Sequence, residues 1–323
     1  MPCSCAVAER RCTPARVVLA ACWLAAALAA APVRAEPLPR ATLWSVDAEH
    51  VVAPGDSLTR VAARHGVGVA LLARDNTLSP QARLHPGQVL RVRSRHLLPQ
   101  PLADGAGAGD DGIVINAAQR MLWLRRGGEL VAAYPVTVGR PDWATPRGAF
   151  RVVSREKDKT WIVPPSIQQE MREQGKPVLT QVPPGPDNPL GGWWIGTSLP
   201  GIGIHGTNAP GSIYGFRSHG CVRMHSDDAA ALFGRVAVGD TGRIAYEPVM
   251  LVQTDDGAIW FEANPDPYRA GTTTLRTLRE RAERAGVAAR VDWPLVEAQW
   301  RQRDGQARPV HLPWPAGGQS AGS

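Results

Sequence analysis

One stretch constrains this chain more than any other. Ile202-Gly203-Ile204-His205-Gly206-Thr207 is a short apolar run ending in a histidine, and Ser218-His219-Gly220-Cys221-Val222-Arg223-Met224 follows it after a loop. The first run reads as a strand that delivers His205 at its end, and the second as a tight turn at Gly220. A cysteine nucleophile needs a base to take its proton, and a carbonyl under attack needs donors for its oxygen. The stretch holds the residue types for both tasks, provided the fold brings its halves together. With 33 glycines and 29 prolines in 323 residues, the chain favours a turn-rich, mainly β scaffold over a helix bundle.

The N-terminus reads as an export signal. Arg10, Arg11 and Arg16 form a positive region, 17–31 is a short apolar core, and Val33-Arg34-Ala35 offers small residues for cleavage after Ala35. Leu19-Ala20-Ala21-Cys22 resembles a lipoprotein acylation box and Arg10-Arg11 a twin-arginine pair, but neither has the right surroundings, so a plain cleaved signal is expected. The apolar run is too short for a stable membrane span. Cys3, Cys5, Cys12 and Cys22 all fall within 1–35, which leaves Cys221 as a free thiol with no internal disulfide. The four arginines and one glutamate of that segment carry +3 of the formal +7. The remaining +4 suits an anionic wall polymer and gives no support for nucleic-acid binding.

Further along, Gly55-Asp56-Ser57 makes a turn that caps a helix, with Leu58, Val61 and Ala62 on one face. A second short helix runs from Val69 to near Asn76, and Leu84-His85-Pro86-Gly87-Gln88 turns into a strand at Val89. The Pro54-Gly55-Asp56-Ser57-Leu58 run and this last turn resemble a LysM module, a βααβ fold that binds N-acetylglucosamine-containing glycans. The resemblance puts the sugar beside Gly55, Asp56, Ser57 and the loop 76–79, which begins with Asn76. The expected organisation is a signal at 1–35, the LysM module at 50–94, a linker at 95–112, a catalytic domain at 113–248, a β/helical extension at 249–305 and a disordered tail at 306–323. A Gly/Ala/Asp-rich linker makes the module a tether, dispensable for turnover of small substrates.

The His-Gly-Thr and Ser-His-Gly-Cys pair resembles the signature of the L,D-transpeptidases, cysteine enzymes that cross-link bacterial peptidoglycan. Thr145-Pro146-Arg147-Gly148-Ala149-Phe150 matches a second run of that family. The resemblance implies a mainly β catalytic domain, a sandwich or barrel with short helices, beside the α+β LysM domain. It also implies Cys221 as nucleophile, His205 as base and His219 as support, with the Gly206 carbonyl holding the His205 ring. Backbone N–H groups of His219, Gly220 and Cys221 are expected around the oxyanion, in a turn that Ser218 opens. Arg223 is expected to bind a substrate carboxylate, and Tyr214 and Trp194 to line the donor groove or pack in the core. The insertion at 157–191, with a short helix at 166–174, is a lid or a surface loop. Ser226 is read as the cap of the helix after Cys221.

The expected reaction is acyl transfer between peptidoglycan stems in the periplasm of a Gram-negative bacterium, with no cofactor. The acceptor is a stem amine or an outer-membrane lipoprotein lysine; hydrolysis by the same acyl-enzyme, or an inactive wall-binding protein, are the alternatives. A zinc site from His205, His219, Cys221 and His225 is the rival chemistry, although it lacks the usual paired spacing. A papain-like protease is disfavoured because both histidines precede the cysteine.

Overall fold

The structure, a computed structural model, describes Met1, residues 36–100 and residues 111–312. The expected signal beyond Met1, the middle of the expected linker at 101–110 and the tail at 313–323 lie outside the described residues. Among the described residues no helix is long and apolar enough to cross a membrane.

The chain begins with β1 (Arg40–Val51), then α1 (Leu58–His65), α2 (Val69–Asp75) and β2 (Val89–Gln100). Ser57 caps α1 by accepting from the Arg60 N–H at 3.3 Å, and Gly66 ends it in the left-handed region at φ 62°. Leu58, Val61 and Ala62 pack with Leu72, Leu90 and Val92 into a small core. β1 and β2 pair antiparallel from Val51 opposite Val89 to Arg40 opposite Gln100. Residues 95–100, expected as linker, are therefore strand. Exposed Arg91, Arg93 and Arg95 alternate with buried Leu90, Val92, Ser94 and His96, the period of two of a half-buried strand.

The central region opens with β3 (Gly112–Asn116), β4 (Met121–Arg126) and β5 (Glu129–Pro135), then β6 (Val138–Gly139) and β7 (Gly148–Lys157). An excursion carries β8 (Trp161–Ile162), α3 (Pro165–Glu173) and β9 (Gln181–Val182). β10 (Trp193–Thr197), β11 (Gly203–His205), β12 (Phe216–Ser218) and β13 (Val222–Arg223) follow, and then α4 (Ser226–Arg235) and β14 (Thr241–Ala245). One eight-stranded sheet runs β13-β11-β10-β7-β14-β3-β4-β5, with Ile113, Leu122, Phe150, Ile204 and Leu232 of α4 in its core. His225, not Ser226, is the cap residue of α4; the Ser226 hydroxyl is already inside the helix and donates to the Thr207 carbonyl at 3.3 Å.

The extension comprises β15 (Val249–Gln253), β16 (Ile259–Ala263), α5 (Leu275–Arg284), α6 (Trp293–Gln302) and β17 (Arg308–Pro309). The tail expected from 306 starts later, because β17 pairs with β16 and buries Ala307 and Val310. A five-stranded sheet, β17-β16-β15-β1-β2, joins this extension to the N-terminal unit through Arg40 opposite Gln253. Leu38 lies in the core of α5 and α6, and Ala41 and Leu97 pack on Met250, Val252 and Ala307. The βααβ unit is thus built into the molecule and not hung from it.

Glu262 of β16 is fully buried where the three regions meet. Its carboxylate accepts from the Leu97 N–H at 2.7 Å and from the side-chain amides of Gln119, at 2.9 and 3.0 Å, and Asn264, at 2.9 Å. It also meets His96 Nδ1 at 3.1 Å, while His96 Nε2 donates to the Gly66 carbonyl at 3.1 Å. Converging donors offset the cost of taking a carboxylate out of water. Glu262→Ala leaves those donors facing a hole and should cost ~3–5 kcal/mol, the scale of a broken buried pair. The midpoint of urea unfolding measures it; a loss below ~1 kcal/mol would show that the pair is not what joins the regions.

Candidate active site

The sheet edge assembles the site. Trp194 of β10 stands opposite His205 of β11, which stands opposite Arg223 of β13, so the three side chains share one face. The Trp194 indole stacks on the His205 ring, with centroids 5.7 Å apart at 20°. A Cβ on Gly203 would lie 2.3 Å from that indole, so the stack needs a glycine there. Cys221 immediately precedes β13 and lines the same cleft as His205.

His205 is buried, and its Nδ1–H donates to the Gly206 carbonyl at 2.7 Å. This fixes the tautomer and leaves Nε2 as the ring's lone pair. Burial pushes the His205 pKa down to about 4, and burial also raises that of the Cys221 thiol. The thiol points to the Gly201 carbonyl at 3.5 Å. Both shifts favour the uncharged forms, a thiol and a neutral imidazole, over a thiolate–imidazolium pair.

The turn before the cysteine is locked. The Ser218 hydroxyl accepts from the Gly220 N–H at 3.2 Å and donates to the Cys221 carbonyl at 2.5 Å. The Thr145 hydroxyl donates to the Gly220 carbonyl at 2.8 Å, and Gly220 has φ 105°. This corrects one expectation: the Gly220 N–H is spent inside the turn and is not free for an oxyanion.

His219 lines the cleft two residues from Cys221. Its Nε2 meets Glu170 Oε2 at 2.6 Å, and the Trp143 ring packs edge-on at 4.8 Å. Glu170 lies on α3, in the excursion, and also accepts from Arg140 at 2.9 Å. These hydrogen bonds, Arg140's first and His219's second, hold its pKa down to about 2. Ile167, Glu170, Met171 and Gln174 form one face of α3 and line the cleft, so the excursion is its wall. The cleft encloses about 1020 Å³, and Arg223 also lines it. Sequence reasoning missed Glu170, although the i, i+3, i+4, i+7 spacing of those four residues marks a single face.

Other expected residues lie elsewhere. Tyr214, at φ 60°, is buried against Ala63, Leu98 and Met121, with the Arg120 guanidinium 4.2 Å from its ring centre. Its left-handed backbone turns the ring towards the βααβ unit and away from the cleft. His225 of the zinc alternative hydrogen-bonds to the Ala63 backbone and does not line the cleft. Among the described residues no three His, Cys, Asp or Glu side chains are grouped to hold a metal.

The glycan-site residues serve the fold. Asp56 Oδ2 accepts from the Ala53 N–H and pairs with His50 Nε2, both at 2.9 Å. Ser57 is the α1 cap, and the Gly55 carbonyl takes a hydrogen bond from Arg60 at 2.6 Å. The Asn76 side chain bonds the Leu72 carbonyl and both backbone groups of Arg91.

The neutral resting pair has a kinetic consequence. Labelling of Cys221 by iodoacetamide should be slow near pH 7 and keep rising past the ordinary thiol range, because only thiolate reacts. A rate already flat from pH 6 upwards would mean a preformed thiolate.

Residues 110–250 match the L,D-transpeptidase catalytic domain, and residues 50–93 match the LysM domain. The chain is 32% identical over 212 residues to the probable L,D-transpeptidase ErfK/SrfK of Salmonella typhimurium, covering 64% of this chain and 65% of that relative. It is 33% identical over 247 residues to the probable L,D-transpeptidase YcfS of Escherichia coli, covering 73% of this chain and 75% of that one. An L,D-transpeptidase structure from Mycobacterium smegmatis aligns with 66% of this chain and 95% of its own, at 18% identity and a TM-score of 0.32. The chain spans less than two thirds of the ErfK/SrfK relative but three quarters of YcfS. With both halves of the cysteine signature on one sheet edge and this similarity, the chain belongs to the L,D-transpeptidase family.

Proposed function

We propose that the protein is a peptidoglycan L,D-transpeptidase working through a Cys221 thioester. The observation that carries the reading is His205, its Nδ1–H held by the Gly206 carbonyl, in one cleft with Cys221. The donor is a tetrapeptide stem. His205 takes the thiol proton as Sγ attacks the carbonyl at the L-centre of the diamino acid. The proton then goes to the departing D-alanine amine. The N–H groups of His219 and Cys221 serve the oxyanion, and Arg223 takes a stem carboxylate. The acceptor amine belongs to a second stem or to a lipoprotein lysine. The N-terminal sequence supports export to the periplasm, and the LysM module supports contact with glycan strands through the backbone of its 55–57 turn, since the Asp56, Ser57 and Asn76 side chains are engaged internally.

Incubation with a disaccharide-tetrapeptide, read by mass spectrometry, tests the reaction. A cross-linked dimer is expected; a shortened monomer would mean hydrolysis, and no change would defeat the reading. Cys221→Ala should abolish turnover without unfolding the chain, since no disulfide is lost. Activity above trace in that variant would remove the thioester from the mechanism. A carbapenem, with its strained carbonyl, should leave a covalent adduct on Cys221 in intact mass; an active enzyme left unmodified by it would contradict an acyl pocket of this kind.

A further inference from the structure

We propose that Glu170 and His219 form a pair that activates the acceptor amine in the second half of the reaction, an inference that rests on the acyl-transfer reading above. The donor amine leaves and the acceptor amine arrives as different molecules, so a second proton-accepting group in the cleft can serve the acceptor. His205 is buried at the sheet edge, with its Nδ1–H bound to the Gly206 carbonyl. The acceptor comes later, after D-alanine has left, and must lose a proton as it attacks.

His219 is equipped for that role. It is half-buried on the cleft wall, and three features fix its ring: the Glu170 contact at 2.6 Å, the Trp143 edge at 4.8 Å, and the locked turn behind it. Glu170 is itself pinned by Arg140 at 2.9 Å, and the pull of Arg140 and His219 keeps it a carboxylate down to about 2. An ionised Glu170 can only accept, so Nε2 of His219 carries the proton and Nδ1 is the lone pair. A carboxylate on the far nitrogen also stabilises the imidazolium that forms when Nδ1 is protonated, the logic of an orienting acid behind a catalytic histidine.

The step balances as follows. The amine nitrogen bonds to the thioester carbonyl carbon, and one N–H proton passes to His219 Nδ1. The C–S bond breaks and its electron pair stays on Sγ. The proton on His219 returns to Sγ, restoring the thiol and the neutral imidazole. Glu170 touches neither substrate nor sulfur, so it is a positioning residue, while His219 does the proton transfer. The excursion that carries α3 thereby brings a chemical group to the cleft as well as a wall.

The test separates the two half-reactions in the full chain. Rapid-quench release of D-alanine from a disaccharide-tetrapeptide reads acylation, and amide formation with an added free D-amino acid reads transfer. Glu170→Gln keeps the size and an accepting oxygen but removes the charge. It should acylate within about twofold of wild type and slow transfer roughly 10²-fold, the usual worth of a positioned base. His219→Gln should slow transfer to the same extent, and the double variant should transfer no more slowly than either single one, since the two act as a unit. Glu173→Gln, on the exposed side of α3, should change neither rate. Normal transfer in Glu170→Gln overturns the proposal. So does an equal loss in both halves, which would make Glu170 a fastener of the wall, and so do multiplicative losses in the double variant. Failure of the wild-type chain to release D-alanine would instead defeat the thioester reading itself.

Discussion

The structure depends on a buried carboxylate. Glu262 gathers donors from β2, from the turn between β3 and β4, and from Asn264 just past its own strand, and through His96 it reaches the end of α1. Left unpaired, the group would destabilise the fold; surrounded, it sets the relative positions of three segments far apart in sequence. The effect reaches the active site. Ile213 and Tyr214, in the loop between His205 and Cys221, pack on Ala63 and Leu98 of the βααβ unit. The Thr137 hydroxyl ties the same loop through the Ser212 carbonyl at 2.6 Å. The spacing of His205 and Cys221 is therefore backed by the N-terminal unit.

The cleft has two walls of different electrostatic character. On the sheet edge, burial keeps both His205 and Cys221 uncharged. Across from it, Arg140, Glu170 and His219 form a chain of partners at the surface, with Glu170 22% exposed. A neutral thiol–imidazole pair needs no counter-charge and can stay dry, while an ion-paired group needs access to water to remain cheap. Uncharged and ion-paired groups can coexist in one cavity because their surroundings differ.

The sequence was most informative where pattern and chemistry coincide. The alternation around Ile204 and Val222, the glycine at 220 and the helical faces at 58–62 and 275–282 appear in the structure as strand, turn and helix. What it hid follows from polar residues in buried places. Ser94 and His96 break the apolar rhythm of β2, so a strand looked like a linker; their hydrogen bonds to Gly66 replace apolar contact. Likewise Gln306 is buried because its side chain accepts from the Arg95 N–H at 2.8 Å, a partner invisible from its own end of the chain. Tyr214 took the second of its two expected places, the core, because its left-handed backbone, which carries no sequence mark, turns the ring away from the cleft. Glu170 needed the tertiary fold, since 49 residues separate it from His219.

The sheet that joins β1 to β15 also bears on the order of events in folding. Arg40 finds its partner at Gln253, and Leu38 its core among residues as distant as Val310. Contacts of such sequence separation form late and slowly, since the long intervening loop must close before they stabilise anything. Emerging from a ribosome or a translocation channel, the βααβ unit can close on its own local contacts, but its outer strands stay unpaired along one edge until the last hundred residues arrive. An open edge is a template for wrong partners. The strand that waits is β1, and its exposed Arg40, Asp47 and Glu49 put charge along it, where charge discourages such pairing.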